Sequence, residues 1–176
     1  MEPTTRPARI EDAAGIATVR VKSWQAGYSG HFPEAYLQGM DIQTNANKTK
    51  ARLLKPKAGV TDWVAEVEHT VVGWACTGSQ TRDHDAGPHI AELAAIYVLP
   101  KYWGTGLGYV LMDVACADLE SRGAREIMLW VLEGNERAER FYGRQGFSLD
   151  GGRKPVGLFP ELDLWEVRYR RSVSTI

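Results

Sequence analysis

The sequence predicts a mixed α/β (α+β) fold, in which one sheet carries helices on its faces. Two valine- and tryptophan-rich runs, 60–68 and 70–78, flank a tight turn and therefore predict a β-hairpin. Further on, two apolar runs, 93–99 and 124–132, are separated by a segment with helical spacing of its apolar residues. Strands joined by a hairpin and strands separated by helices both occur, so the sheet is predicted to be mixed.

The chain begins with a predicted strand over 4–10, followed by two helices. Asp12 is a suitable N-cap for the first helix, over about 13–27. The apolar side of this helix carries Ile16, Val19 and Trp24. Glycines and a proline then end it, and a polar, weakly amphipathic helix is predicted over 41–55.

After the hairpin, which turns at Glu68-His69, the central strand over 93–99 ends at a proline. A helix over about 106–122 follows, with Gly123 as its C-terminal cap, and then the strand over 124–132. The remaining predicted elements are a helix capped by Asn135 and ending at Gly146, a strand over 147–150, a loop rich in glycine and proline, and a closing strand over 162–171.

Length and composition predict a single domain, 1–176, located in the cytoplasm. The net charge of −1 gives no electrostatic reason to expect nucleic acid or an anionic membrane as partner. No apolar run approaches the roughly 20 residues of a membrane span, and the N-terminus lacks the apolar core of a signal peptide. Cys76 and Cys116 have no metal-type spacing, so both are predicted to be small buried hydrophobes.

Two other charged features are predicted to carry no function. Arginines at 168, 170 and 171 form a small basic tail, which we expect to be solvated. His84 stands between Asp83 and Asp85, but no second ligand follows at a spacing that fixes a metal's geometry. We therefore predict no metal site.

One stretch, Glu92–Gly108 (ELAAIYVLPKYWGTGLG), indicates an anion-binding turn. Gly104, Gly106 and Gly108 precede the amphipathic helix, whose first N–H groups favour an anion such as phosphate. A dinucleotide fingerprint would need glycine where Tyr109 stands, and a P-loop would need Gly-Lys-Ser/Thr. The remaining interpretation is a pyrophosphate cradle for a different ligand.

The segments KYWGTGLG and NERAERFYGRQGF resemble the two main motifs of the GCN5-related N-acetyltransferase (GNAT) family. The opening RPARIEDAAGIATVRVKSW is also similar to the family's first strand and helix, so the resemblance covers nearly the whole chain. It implies a mostly antiparallel central sheet, splayed at the central strands, and acetyl-coenzyme A as co-substrate. The chain departs from the family at Lys101, where Gln or Arg is common, and at Trp103, where Arg is frequent.

The resemblance also implies which residues bind acetyl-coenzyme A. Backbone N–H groups of the turn would hold the pyrophosphate, and the end of the central strand would pair with the pantetheine arm. The residues implied are Tyr97, Val98, Lys101, Trp103, Gly104, Thr105, Gly106, Leu107, Gly108 and Asn135. In the alternative interpretation the glycines form only a tight turn and Asn135 is only a helix cap.

Two catalytic roles follow from the same resemblance. Tyr142 would be the general acid that protonates the coenzyme A sulfur, or else an aromatic ring packed beside Phe141. Glu92 would be the base that deprotonates the amine, or else a surface carboxylate at the start of the central strand; Glu133 is a weaker candidate. A backbone N–H near Val98 would polarise the thioester carbonyl.

An aromatic-rich loop after the first helix predicts a substrate pocket, with plain packing as the alternative. Its residues are Tyr28, His31, Phe32 and Tyr36. We expect a small-molecule amine as acceptor and direct attack in a ternary complex, since Cys116 is predicted to be buried in a helix and Cys76 lies on a predicted strand with no evident histidine partner. The alternatives are a protein N-terminus or lysine as acceptor, or a non-catalytic acyl-coenzyme A sensor. Family members often dimerise, so the resemblance also implies a homodimer.

Overall fold

The computed structural model describes residues 3–81, 83, 87 and 89–173. His84 and Asp85, from the metal pattern considered in the sequence, lie outside the described residues. Within the described part of the chain, no three metal-ligating side chains form a group that would hold an ion, and no helix is long and apolar enough to cross a membrane.

Twelve helices and strands, joined by turns, make up the described fold, and every predicted helix and strand is among them. In chain order they are β1 (Thr4–Pro7), α1 (Ala13–Gly27), α2 (Glu34–Gln38), α3 (Ile42–Leu54), β2 (Val60–Val67), β3 (Thr70–Gly78), β4 (Ile90–Val98), α4 (Leu107–Ser121), β5 (Glu126–Leu132), α5 (Glu136–Arg144), β6 (Ser148–Pro155) and β7 (Trp165–Ser172). The short helix α2 was not predicted, because only five residues form it.

The strands form a seven-stranded sheet in the order β1-β2-β3-β4-β5-β7-β6. The pairs β1–β2, β5–β7 and β6–β7 are antiparallel, while β4 and β5 are parallel. The predicted hairpin turn is confirmed, with φ values of 51° at Glu68 and 61° at His69. Positive φ at both central residues is the geometry that matches the twist of hairpin strands.

The predicted splay lies between β4 and β5. Their parallel ladder begins with Ile90 opposite Glu126 and ends with Glu92 opposite Met128. Beyond that point β5 continues to Leu132 and is paired with β7 along its other edge. The ladder therefore ends well before either strand does.

The chain divides into two compact units. The first unit contains the residues up to Thr77 together with Ala95–Ala117. Its core includes a cluster of Ile16, Val19, Val64 and Trp74, against which half-buried side chains such as Tyr97 pack. The second unit contains Gly78–Ala94 and the residues from Asp118 onward, with a core that includes Ile127, Met128, Leu129 and Phe147. The assignment of the chain to one domain stays a prediction.

Asp12 does not cap α1 through its side chain, contrary to the sequence prediction. Its carboxylate accepts hydrogen bonds from the Arg9 backbone N–H at 2.6 Å and from the Arg6 guanidinium at 2.7 and 2.8 Å. The hydrogen bond from Arg6 lowers the pKa of Asp12 below its ordinary value. A 3₁₀ turn over Ile10–Asp12 leads into the helix and directs this carboxylate back toward β1.

The arginines near the C-terminus are not a solvated tail, so that prediction was wrong. They lie on β7 and are paired: Arg168 and Arg170 with Asp150, and Arg171 with Glu120. Arg168 is buried. The predicted loop after residue 150 is also partly wrong. There β6 continues to Pro155 because a bulge between Leu149 and Arg153 keeps the strand paired with β7.

The two cysteines differ in burial. Cys116 is buried on α4, as predicted, whereas Cys76 on β3 is only half-buried. Neither cysteine forms a disulfide bond within the described chain.

Candidate active site

The glycine turn between β4 and α4 is open rather than packed. A 3₁₀ turn over Pro100–Tyr102 leads to Gly104, with φ of 78°, and Gly106, with φ of 91°. These are left-handed conformations that glycine adopts without strain. A Cβ built at either glycine would have no atom within 4 Å beyond the two adjoining residues. The need for glycine therefore comes from the backbone conformation of the turn, not from a neighbouring side chain.

Four N–H groups of this turn are available to an anion. The N–H groups of Trp103 and Thr105 donate within the turn, to the carbonyls of Pro100 and Tyr102. Over the described residues, no backbone hydrogen bond uses the N–H of the four others, which are Gly104, Gly106, Leu107 and Gly108. Because Leu107 begins α4, these donors stand at the positive end of a 15-residue helix.

The end of β4 is held by two side chains that donate to one carbonyl. The Val98 carbonyl accepts from the Trp103 indole at 2.7 Å and from the Ser23 hydroxyl at 2.9 Å. Sequence reasoning missed Ser23, although a serine on the apolar side of α1 was a signal for a buried hydrogen bond. Trp103, which stands where the family often has arginine, thus ties the turn to the strand.

The backbone N–H and C=O groups of Val98 and Tyr97 point toward opposite edges of β4. The Leu99 N–H donates to the Val72 carbonyl of β3 at 2.9 Å, so the N–H of Val98 points away from β3. The Tyr97 carbonyl approaches β3, at 3.5 Å from where a Cβ of Gly73 would lie. Of the two, Val98 therefore has the backbone that an added extended ligand would meet.

Lys101 lies in the 3₁₀ turn over Pro100–Tyr102, before the glycines. Its ammonium lies 4.9 Å from the ring centroid of Tyr102. Together with Pro100, Leu99 and residues 22, 25 and 26 of α1, it lines an open cleft of about 460 Å³.

The aromatic residues after α1 form a cluster that reaches β4. Tyr28 and Phe32 stack with centroids 4.6 Å apart, and both contact Trp24, at 5.1 and 5.7 Å. Trp24 in turn lies 6.4 Å from Tyr97. Phe32 is buried and Tyr28 is half-buried, so part of the cluster is packing. Tyr36, on α2, is 38% exposed, and His31 is half-buried.

In the second unit, Glu92 is neither at the strand end nor on the surface. It is the third residue of β4, is only 3% exposed, and forms the last pair of the parallel ladder, opposite Met128. The alternative of a surface carboxylate is therefore wrong. A glutamate is rarely buried to this degree unless it has partners or a role.

Asn135 and Tyr142 lie at the two ends of α5. The Asn135 side chain accepts from the Ala138 N–H at 3.3 Å, which confirms it as the helix cap. Tyr142 is half-buried, and its ring packs edge-on against Phe141 at 5.3 Å and Phe147 at 6.1 Å. These contacts fix the ring from two sides.

Glu133 is bound in an ion pair. The Arg153 guanidinium donates to both of its oxygens, at 2.8 and 3.2 Å, and this hydrogen bonding lowers the pKa of Glu133. A carboxylate with a lowered pKa is a weaker base. The pair therefore disfavours Glu133 as the residue that deprotonates an amine.

The chain matches the model of a protein family described as the acetyltransferase (GNAT) family over residues 21–147. It is 33% identical over 133 residues to an uncharacterized N-acetyltransferase of Bacillus subtilis, covering 75% of this chain and 73% of that protein. It is also 37% identical over 86 residues to the mycothiol acetyltransferase of Thermobispora bispora, covering 49% of this chain and 29% of that protein.

Solved structures share the fold at lower identity. The PaiA N-acetyltransferase of Thermoplasma acidophilum, in complex with coenzyme A, has a TM-score of 0.78 at 21% identity and covers 98% of this chain and 100% of that one. A GCN5-related N-acetyltransferase of Rhodopseudomonas palustris has a TM-score of 0.74 at 22% identity and covers 98% and 97%. The chain therefore belongs to the GNAT family of N-acetyltransferases.

Proposed function

We propose that the protein transfers the acetyl group of acetyl-coenzyme A to the primary amine of a small molecule, by direct attack in a ternary complex. The observation that carries this is the open glycine turn with N–H donors at the start of α4. The coenzyme A in the related Thermoplasma structure and the small-molecule substrate in the name of the mycothiol acetyltransferases support it.

The turn supplies the binding part of the mechanism. The N–H groups of Gly104, Gly106, Leu107 and Gly108 bind the pyrophosphate, with the helix dipole of α4 behind them. Val98 directs its N–H away from β3 and pairs with the pantetheine arm or polarises the thioester carbonyl. Ser23 and Trp103 donate to the carbonyl of Val98 itself, so the orientation of the Val98 backbone, including its N–H, is fixed before the ligand binds. Asn135 contributes a side-chain hydrogen bond to the arm in addition to its cap.

Two side chains of the second unit supply the proton transfers. Glu92 accepts the proton of the ammonium, directly or through water, so that the nitrogen lone pair can attack the thioester carbon. As the new C–N bond forms and the C–S bond breaks, Tyr142 gives its phenolic proton to the leaving sulfur. The nitrogen gives its second proton to water, solvent takes the first from Glu92 and returns one to the Tyr142 phenolate, so one proton is released in total and no covalent acyl-enzyme is formed.

The test is an assay that detects the thiol of coenzyme A as it is released from acetyl-coenzyme A in the presence of a panel of amines. The panel contains amino acids, polyamines, aminoglycosides, a lysine peptide and a peptide with a free N-terminus. Release with small amines supports the proposal. Release with peptides alone assigns the protein acceptor instead. No release, together with a rise in melting temperature on adding acetyl-coenzyme A, indicates a sensor.

No rise in melting temperature at millimolar acetyl-coenzyme A would refute the cofactor itself. The remaining expectations, a homodimer through the closing strands and a location in the cytoplasm, stay predictions.

A further inference from the structure

We propose that the acceptor amine carries a carboxylate, and that Arg20 binds it with the Trp24 indole as a second donor. The acceptor would then be an amino acid or a similar small amino carboxylate. This inference rests on the proposed acetyl transfer and names the class of its substrate.

Arg20 and Trp24 lie one turn apart on α1 and form a cation–aromatic pair. The Arg20 Cζ is 5.2 Å from the ring centroid of Trp24. The Arg20 Nε and the Trp24 Nε1 are both buried, and neither has a hydrogen-bond partner among the described residues. Buried donors of this kind are nearly always paired, since an unmade hydrogen bond is costly. Two such donors on one face of a helix therefore indicate an acceptor that the described residues do not supply.

Three other arginine–tryptophan pairs in the described residues can be compared with the pair of Arg20 and Trp24. Arg52 lies over Trp74, Arg168 over Trp130, and Arg153 over Trp165, with Cζ-to-centroid distances of 5.4, 5.5 and 3.9 Å.

In each of these three pairs, both the guanidinium and the indole donate to carboxylates of the chain. Arg52 and Trp74 share Asp62, and Arg168 and Trp130 share Asp83. Arg153 donates to Glu133 while Trp165 donates to Asp163. The pair on α1 has the same two donors and, over the residues described, no carboxylate in a salt bridge with Arg20.

The position of the pair fits an acceptor site. Trp24 contacts Tyr28 and Phe32, the aromatic residues predicted to wall the substrate pocket. It also lies 6.4 Å from Tyr97, which directly precedes Val98. The Trp24 ring thus lies between Arg20, which would bind the carboxylate, and the end of β4, which is proposed to bind the acetyl arm. The planar fork of a guanidinium matches a carboxylate with two hydrogen bonds, which a neutral amide cannot reproduce.

The experiment compares matched acceptors, each offered as the free acid and as its carboxamide, in the thiol-release assay. For the wild type we expect kcat/KM for the acid to exceed that for the amide by about 10- to 100-fold, the range of one charge-assisted interaction. Arg20→Gln should remove this preference by lowering turnover of the acid alone. Arg20→Lys, which keeps the charge but loses the fork, should restore part of it.

Arg52→Gln is the matched control, because it removes the guanidinium of an equivalent pair whose carboxylate is internal. It should change acid and amide equally. Equal turnover of acid and amide by the wild type, or an equal loss of both in Arg20→Gln, would overturn the inference.

A second readout does not depend on turnover. Amino carboxylates titrated into the wild type should change its tryptophan fluorescence and raise its melting temperature, and these effects should disappear in Arg20→Gln. If no amine releases coenzyme A while this binding is present, the proposed function fails and the carboxylate site stands. If binding is the same in both proteins, the site fails.

Discussion

Two glycine-containing segments of this protein use glycine for opposite purposes. In the turn before α4, a Cβ at Gly104 or Gly106 would meet no atom within 4 Å. In the bulge of β6, a Cβ at Gly152 would lie 2.6 Å from Nε and 2.8 Å from Cβ of Arg168. In the turn, open space adjoins N–H donors that no backbone acceptor uses among the described residues. In the bulge, the side chain of Arg168 fills the space beside Gly152.

The difference teaches how to distinguish a binding segment from a structural one. At Gly152 the side chain that fills the space is satisfied internally, because Arg168 donates to Asp150 at 2.8 Å and to Asp83 at 3.3 Å. In the turn before α4, four N–H groups have no backbone acceptor among the described residues. Open space combined with unused donors indicates a ligand, and filled space with satisfied donors indicates stability.

Gly106→Asp, which is expected to have the largest effect, tests whether the turn before α4 binds a ligand. The carboxylate would occupy the open space and repel a pyrophosphate, so we expect the affinity for acetyl-coenzyme A to fall by about 100-fold or more, measured by calorimetry. Gly123→Asp is the matched control, since Gly123 also has positive φ and no atom within 4 Å of its Cβ position. It should lose similar stability and keep its affinity. Unchanged affinity in Gly106→Asp would refute the cradle.

Tyr142→Phe separates binding from chemistry. It keeps the ring contacts with Phe141 and Phe147 and removes only the hydroxyl. We expect turnover to fall by about 100-fold, as for loss of a general acid, while affinity for acetyl-coenzyme A changes little. Steady-state kinetics combined with calorimetry measures both. A variant as fast as the wild type would remove the acid role.

Glu92→Gln examines the buried carboxylate at the end of the β4–β5 ladder. We expect turnover to fall by about 10-fold or more and the limb of the pH–rate profile that belongs to the base to disappear. Glu133→Gln is measured beside it, because Glu133 was the other candidate. An unaltered profile in Glu92→Gln, with a changed one in Glu133→Gln, would move the base role to Glu133.

Gly152→Ala tests the structural segment. The added methyl group would displace Arg168 from its carboxylates, so we expect a loss of about 1–3 kcal/mol in the free energy of unfolding, measured with urea. Gly157→Ala, where a Cβ would meet no atom within 4 Å, should change stability by less than about 0.5 kcal/mol. Equal effects of the two substitutions would show that the position of Arg168 does not require glycine at residue 152.

The smallest effect is expected at Asp12, where an internal ion pair gives a pH dependence. Because Arg6 lowers the pKa of Asp12 in the folded chain, the pair stabilises the fold at neutral pH and loses this effect as the pH falls through that lowered pKa. Asp12→Asn should cost about 1 kcal/mol at pH 7, and the difference from wild type should vanish in strong acid. Glu11→Gln is the control for charge alone. A difference that does not shrink as the pH falls would contradict the pairing.

Local patterns predicted the elements and the turn well. The valine-rich runs predicted β2 and β3, and the glycine turn between an apolar run and an amphipathic helix predicted the start of α4 almost to the residue. The main local failure was β6, where the glycines of a bulge were interpreted as a loop. Glycine at 152 is required there by the side chain of Arg168, and that neighbour lies 16 residues away along the chain.

Apart from the short helix α2, the sequence by itself therefore determined the order of strands and helices, the glycine turn and the family, because each depends on periodicity, turn chemistry or motifs over short distances. Only the tertiary structure decided which charged groups are satisfied. It buried Glu92 at the end of a ladder, paired the C-terminal arginines and left the donors of Arg20 and Trp24 without an acceptor among the described residues. The physical reason is that an ion pair or a buried donor depends on partners brought from distant segments, and no local pattern encodes their distance.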